Sequence, residues 1–391
     1  MHAVVIGGGI VGLSSAHALA ERGARVTVCE RGSIGAGSTE RSVGGIRTQF
    51  TTPVNVRLSQ ESLPIWETFE ERFGVDIAHR QPGYLFLARD EATATGLRDS
   101  VELQTDLGVP SRTLTPDEAA ELCPGLHTDQ FVCASYASVD GFADPHLALQ
   151  GYSEAVREAG VEVRTKTAVT AVRHDDTGRV VGVETSGGSI DADVVVNAAG
   201  PWARRVARMA GIDLPVAPRR RQIAVVDPET PLPEDVPLTI DLDTGAHFRP
   251  ERSGRALVGG HFHEEPVPTP ERGPDDAEPD GFDRGFDLDW AVEAVERSGG
   301  ITSSFGPESR IRRGWAGLYA VTPDHHPIIE ESIPGFVTAG GFSGHGFQHA
   351  PATGIVVAEL ALDGAASLVD IDPLSSDRFE RGDVIEERNV A

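Results

Sequence analysis

Residues 2–12 read HAVVIGGGIVG, and the order of residue types in them decides the fold. His2–Ile6 is a short apolar run of the buried-strand kind, and Gly7-Gly8-Gly9-Ile10-Val11-Gly12 matches G-x-G-x-x-G. Helical spacing follows over Ile10–Arg22, with the small residues Ser14, Ser15, Ala16 and Ala18 along one side. Gly23-Ala24 breaks it, and Arg25–Cys29 (RVTVC) reads as a second strand that ends at Glu30. In such a strand–turn–helix–strand unit each glycine has its own duty. Gly7 permits the tight turn, Gly9 lets backbone approach a pyrophosphate, and Gly12 lets helix and strand pack closely. The helix start offers free N–H groups and a positive dipole end to phosphates. Glu30 stands where a carboxylate accepts from ribose hydroxyls, and an acid there disfavours a 2′-phosphate. The unit predicts dinucleotide binding.

The fingerprint alone leaves NAD and FAD open. Residues 35–50, GAGSTERSVGGIRTQF, form a Gly/Ser-rich stretch directly after the second strand, where a nicotinamide dehydrogenase usually continues its sheet. A long polar loop there suits an extended flavin. Further along, helical spacing covers Val54–Phe73, Glu91–Leu107, Thr115–Leu122 and about 146–159 and 287–298, and Gly83–Ala88 reads as a strand. Val161–Val172 and Val180–Thr185 read as a hairpin, and Asp193–Ala198 as a buried strand. Residues 219–226, 237–242, 245–249 and 255–261 read as a second sheet. Residues 264–287, rich in Pro, Asp, Glu and Gly, read as a surface loop. Phe336–Ala339 is a late strand, and GGFSGHGFQHAPATG (340–354) leads from it into a last helix, with Pro351 expected in the first turn.

These pieces predict an α/β fold whose second domain is α+β. A Rossmann-type cofactor domain of discontinuous segments, 1–75, 146–215 and 306–391, is interleaved with a substrate domain, 76–145 and 216–305, on an antiparallel or mixed sheet.

Sixty acidic residues face 34 basic ones, a net charge of −26, and Lys166 is the only lysine. Such a chain repels nucleic acid and anionic membrane. An acidic surface nearly free of lysine suggests a halophilic, high-salt cytoplasmic setting, where screening removes self-repulsion. Cys29, Cys123 and Cys133 make an odd count without a C-x-x-C pair, against a disulfide framework or zinc and in keeping with a reducing cytoplasm. The apolar start lacks a basic n-region, so no signal peptide is expected, and no window approaches about 20 uninterrupted apolar residues, so no membrane span is expected.

Taken together, the chain resembles the D-amino-acid oxidase superfamily of FAD-dependent amine oxidoreductases, most of all its sarcosine oxidase β-type and dye-linked L-proline dehydrogenase β-type members. The carriers are GGGIVG (7–12) with Glu30, residues 35–50, DGFADP (140–145), VVVNAAGPWA (194–203), FRPE (248–251) with GRALVGG (254–260), GWAGLYAVTPDHHPII (314–329) and residues 340–354. The resemblance implies FAD. Gly7, Gly9, Gly12 and Glu30 would hold its ADP half, with Ile10, Val11 and Arg31 beside them. Gly37, Ser38, Thr39, Arg41, Ser42, Gly44, Gly45 and Ile46 would line the flavin. Val169 would meet the adenine, and Ala199, Gly200 and Trp202 would flank the cofactor. Gly317, Gly341, Gly344, His345, Gly346, Phe347 and Gln348 would meet the isoalloxazine ring. Three departures stand out. Gly317 occupies the place of a flavin-attaching cysteine, which implies non-covalent FAD. Gln348 replaces a lysine that helps hold the substrate carboxylate. Leu257 falls near a lysine that assists reaction with oxygen, which favours a dehydrogenase.

The implied chemistry is oxidation of a C–N bond in a small amino acid or amine, with an electron-acceptor subunit or carrier as a further partner. A buried substrate carboxylate needs a partner, and Arg47 in GGIRTQF is the first candidate because its fork pairs bidentately. His345 is a candidate proton acceptor beside the flavin, with Gln348 next to it. His261, His247 and Tyr319 are further candidates for the pocket. His325-His326 is set aside as a metal pair because adjacent histidines point apart and no acid cluster completes the set. Two rivals remain: an oxidase making hydrogen peroxide, and a flavoprotein assembly factor without turnover. If the acidic surface is a salt adaptation, the melting temperature rises steadily from dilute buffer to multimolar KCl; equal stability at both extremes contradicts it.

Overall fold

The structure, a computed structural model, describes residues 1–262, 279–385 and 387–389. His2–Ile6 lies at the heart of a six-stranded sheet ordered Ile328–Ile333, Phe336–Gly340, Val194–Asn197, His2–Ile6, Arg25–Cys29, Glu162–Arg164. The last five run parallel, and Ile328–Ile333 is an antiparallel edge. The unbroken apolar run HAVVI suits a strand covered on both faces. Ala3 and Val5 pack with Leu13, Leu19 and Val357 on one face, while Val4 and Ile6 pack with Val183, Val195 and Phe336 on the other. The first face carries the helices Ile10–Glu21, Pro145–Glu158 and Gly346–Asp363. The second carries Ala203–Met209 and an antiparallel three-stranded sheet of Val169–His174, Val180–Thr185 and Gly188–Asp191.

The first and last long helices cross closely. Ser14 Oγ donates to Ala350 O at 2.7 Å. A Cβ on Gly354 would stand 2.7 Å from Ser14 backbone, so only glycine permits this approach. Pro351 lies in the second turn of its helix, which begins at Gly346, rather than in the expected first turn. A proline there cannot join the ladder. The displaced groups find side chains: Trp66 Nε1 donates to Gln348 O at 2.9 Å, and Ala352 N donates to Ser62 Oγ at 3.1 Å.

A second, eight-stranded sheet runs Arg310–Val321, Ala217–Asp227, Arg255–Gly260, Ala246–Glu251, Leu238–Asp241, Tyr84–Ala88, Cys133–Ala137, Ser111–Leu114. It is mixed, with one parallel pair between Leu238–Asp241 and Tyr84–Ala88. Three expectations change. The helical stretch 54–73 is two helices, Pro53–Glu67 and Phe69–Phe73, broken at Thr68, whose hydroxyl turns back onto Pro64 O at 2.6 Å. The segment read as one strand over 161–172 divides between the parallel sheet and the three-stranded one. Arg310–Val321, grouped with the cofactor domain by a boundary at 306, pairs with Ala217–Asp227 in the eight-stranded sheet, and only its end reaches the seam. Most of the loop expected at 264–287 lies outside the described residues.

His349, on the last long helix, is fully buried, with Nε2 3.0 Å from Ser59 Oγ. Burial pushes its ring down to about 3, helped by the Arg47 and His326 charges. A histidine neutral in the fold but ordinary when unfolded contributes fully above about pH 6.5 and costs stability as the pH falls below that value. Between pH 7 and pH 5 this one ring accounts for a loss of about 2 kcal/mol. Unfolding titrations at both pH values should therefore show a smaller acid-induced loss in His349→Gln, by about that amount; an unchanged difference would contradict the assignment.

Candidate active site

The glycine motif divides by what surrounds each residue. Gly7 has φ +114°, and a Cβ there would strike the Ala198 carbonyl. A Cβ on Gly12 would strike the Gly7 carbonyl. Gly9 differs: its Cβ would meet only Thr39 Oγ1 at 3.4 Å. The protein itself does not require glycine at position 9, so its small size serves whatever approaches. The helix beginning at Ile10 has no side-chain cap from Gly9 and no acid in its first turn, and its Ile10 N–H donates to Thr39 Oγ1 at 3.2 Å. A positive helix end meets an open cleft there. Glu30 is held by Gly8 N–H at 2.8 Å and Gly32 N–H at 2.6 Å, each oxygen keeping acceptor capacity.

The Gly/Ser loop turns around Arg41, whose Nη1 donates to Ala36 O at 2.6 Å and Gly37 O at 2.7 Å. Ser38 Oγ donates to Leu318 O at 2.5 Å, tying the loop to the strand Arg310–Val321. Arg31 lies 4.1 Å over the Trp202 ring and pairs with Asp280, which also takes Arg205.

A single cavity of about 400 Å³ runs from this end to the seam between the sheets. Along it lie Gly7, Gly9, Ile10, Val11, Glu30 and Arg31, then Gly37, Ser38, Thr39, Arg41, Ser42 and Gly45. Val169, Ala199, Gly200 and Trp202 form one flank. Gly317, Tyr319, Gly344, His345, Gly346, Phe347 and Gln348 close the far end with Arg47 and His247. Four residues expected at the cofactor lie off the wall. Gly12 serves helix packing, and Ile46 is in the core. Gly44 and Gly341 take positive φ at turns where a Cβ would strike Ala143 O and stand 2.6 Å from Thr322 Cγ2. His261 is also off the wall, ring-to-ring with Tyr319 at 5.5 Å and His247 at 6.2 Å.

Arg47 is 5% exposed. Its Nη1 donates to Gln49 O at 2.6 Å, and its Nη2 donates to Asn389 O and to His345 Nε2, the latter at 3.1 Å. The Phe50 ring lies 4.1 Å below it. Because arginine only donates, His345 Nε2 accepts, and the proton of the neutral ring sits on Nδ1. Burial and the Arg47 charge push the His345 ring far below its ordinary value. Thus the nitrogen expected to receive a proton is already committed. Gln348 Oε1 accepts from Arg47 N–H at 2.9 Å. His345 Nδ1 and Gln348 Nε2, both buried, have no hydrogen-bond partner among the described residues. Burial likewise pushes His247 down to about 4.

Arg221, Tyr84, Ile223, Leu238 and Ile240 also line this end and were not singled out from the sequence. Only the period-two pattern of their strands signals them. Asp140, from DGFADP, is a further unassigned group. It accepts from Thr48 N–H and Oγ1 and from Gln49 Nε2, at 2.6–3.0 Å. Burial outweighs these bonds and raises it to about 6. His326 binds Asp324 O and Thr52 Oγ1, both at 2.9 Å, and among the described residues no group of three or more His, Cys, Asp or Glu is placed to hold a metal. No helix among them is long and apolar enough to cross a membrane.

The family model described as DAO, FAD dependent oxidoreductase, matches residues 2–360. The chain is similar to L-proline dehydrogenase from P. horikoshii, with 35% identity, 97% of this chain and 98% of that one covered, and TM-score 0.87. It is also similar to glycine oxidase from Geobacillus kaustophilus, with 26% identity, 96% and 98% covered, and TM-score 0.81. FAD-dependent oxidoreductase domain-containing protein 1 of Xenopus laevis is 31% identical over 99% of this chain and 84% of its own length.

The two kinds of glycine separate by experiment. Gly9→Val is expected to melt near the parent temperature but purify colourless, whereas Gly12→Ala lowers the melting temperature of the cofactor-free protein. Full flavin absorbance in Gly9→Val would refute the placement of the cofactor at that turn.

Proposed function

The chain belongs to the DAO family of FAD-dependent oxidoreductases, and from that premise we propose that it oxidises the C–N bond of a small amino acid or secondary amine of the sarcosine, proline and glycine class to an imine, with electrons passing to an acceptor other than oxygen. The observation that carries this reading is the single cavity joining a phosphate-ready helix start to a chamber walled by Tyr84, Ile223, Leu238, Tyr319, neutral histidines and arginines. The relatives' names, L-proline dehydrogenase and glycine oxidase, point to the same class of donor.

Gly9 and Glu30 would hold the ADP half of FAD in this cavity, and Gly317 with residues 344–348 would hold its ring. When bound, FAD would supply the two-electron acceptor for the hydride leaving the carbon next to nitrogen. The attachment is non-covalent: Gly317 offers no side chain, and Cys29 lies beside Glu30 at the opposite end, its thiol raised to about 11 by burial. His345 and Gln348 would stand beside the ring, where donors stabilise the negative charge that gathers on reduction. With His345 Nε2 held by Arg47, that ring is not placed to take the proton of the amine. The substrate therefore reacts as the neutral amine, its N–H proton passing to solvent as the imine is hydrolysed or cyclises.

The acceptor assignment rests on the absence of an ammonium beside the ring. Lys166, the only lysine in the sequence, is not on the cavity wall. Leu257 packs with Ile223, Val225 and Trp315.

Anaerobic titration of the yellow protein with glycine, sarcosine, dimethylglycine, proline and D-amino acids should bleach the flavin with one class, faster at higher pH, and air should restore the colour slowly. Prompt reoxidation with peroxide would make it an oxidase. No bleaching by any of them would remove the amine-oxidising reading altogether.

A further inference from the structure

The eight-stranded sheet turns one row of residues toward the chamber. Ile223, Gly259, His247 and Ile240 stand directly opposite one another on four neighbouring strands. Residues in such a row share one face of a sheet. Ile223, His247 and Ile240 line the cavity, whereas Gly259, without a side chain, is not on its wall. We propose that His247, seated on Gly259, sets the size limit of the donor, so that open-chain and five-membered-ring amines are favoured over their six-membered homologues. This rests on the reading above that the donor is a small amine.

Gly259 acts as a recess. A Cβ there would strike His247 Nε2 and would stand 2.7 Å from its Cε1 and 2.8 Å from Ile223 Cδ1. The imidazole thus lies in space that the side chain of any other residue would take. Two more chamber rings are seated in the same way. A Cβ on Gly45 would strike the Tyr84 hydroxyl, and one on Gly344 would strike the Tyr319 ring. The chamber therefore owes its width to rings drawn back into glycine recesses. Gly45 and Gly344 themselves stand on the cavity wall, where a side chain would also meet the cofactor. Gly259 does not, so it can act only through the residues that cover it, and it is a positioning residue for His247.

The His247 ring has one way to move. The sheet lies beneath it, and His261 stands edge-on beside it with ring centroids 6.2 Å apart. A ring lifted from Gly259 enters the chamber. Ile223 meets the same recess with the end of a flexible chain, which can turn aside. Burial pushes the imidazole down to about 4, so at neutral pH it presents volume rather than charge. Its neighbours in the row, Ile223 and Ile240, are aliphatic. The cavity of about 400 Å³ must take cofactor and donor together, and it lies toward the lower end of small-molecule sites, about 300–1,000 Å³. In such a space one extra methylene is felt, typically by about 10- to 200-fold in kcat/KM.

The test uses the holoenzyme and variants that move the limit in opposite directions. His247→Ala and His247→Asn shorten the ring position, and Gly259→Ala lifts the ring; FAD content is measured first in each. Two ratios are read: kcat/KM for pipecolate against proline, and the affinity for cyclohexanecarboxylate against cyclopentanecarboxylate from the flavin spectrum. Shortening His247 should raise both ratios at least about tenfold, and Gly259→Ala should lower them as much. In the double variant with His247→Ala, Gly259→Ala should add nothing, because the ring it lifts is gone. Ratios within twofold of the parent, shifts of one sign in both kinds of variant, or an additive double variant overturn the proposal. Loss of FAD from all the single variants would place these residues in the cofactor seat and overturn it equally. If no amine bleaches the flavin, the oxidation reading fails while the two ring acids still decide for or against His247. A chamber that neither oxidises these amines nor binds these acids refutes both.

Discussion

A guanidinium buried at the seam between the two sheets sets the terms for everything around it. Arg47 is almost wholly out of water, and a buried cation is tolerated only when its hydrogens are met. No carboxylate is hydrogen-bonded to it among the described residues, so carbonyls, an imidazole and an aromatic face do the work. Its own N–H binds Gln348 on the last long helix. The next residues, Thr48 and Gln49, converge on Asp140, and Gln49 reaches Tyr84 O at 3.0 Å and Ser135 Oγ at 2.8 Å in the second sheet. One short loop thereby joins the last long helix, the eight-stranded sheet and the segment around Asn389.

The same constraint decides the chemistry of the neighbours. A histidine beside a fixed positive charge in a dry site stays neutral, and the direction of the Arg47 bond leaves its proton on Nδ1. His345 then carries a buried Nδ1–H that has no partner among the described residues. Asp140 feels the opposite pull from burial and from Arg47, and burial prevails, so its carboxyl titrates near neutrality within a network that holds the loop.

How much of this was legible in advance depends on sequence distance. The strand, turn and helix of residues 2–30 are local, and their register and helix start agree with the reading. The separate duties assigned to Gly9 and Gly12 from the motif match separate surroundings: one borders open space and the other a carbonyl. Arg310–Val321 was hidden because its charged first half, RIRR, masks the strand pattern, while its second half carries the conspicuous glycines of the cavity wall. Arg47 was found as a residue but not in its setting: the carbonyl that occupies its fork is 342 positions away, in a segment with no motif. Arg221 was passed over because it sits in a run of three arginines, and only the alternation of a strand separates the one facing the cavity from its neighbours.

That alternation bears on how an acidic protein handles anions. The chain carries a net charge of −26, a field that opposes the approach of both a pyrophosphate and an amino acid carboxylate. The cavity wall inverts the sign: Arg31, Arg41, Arg47, Arg205, Arg221 and Arg284 stand on it against Glu30 alone among the described residues. Exposed acids are screened over about 8 Å at physiological ionic strength and over about 3 Å at molar salt, whereas charges in a partly dry cleft keep most of their strength. Raising salt therefore weakens the repulsion at the surface more than the attraction inside. An anion then meets a smaller barrier outside and nearly the same attraction inside, so the acidic exterior and the arginine-lined interior are compatible where ions are abundant. In dilute solution the same surface would slow an anion before it reached the cavity.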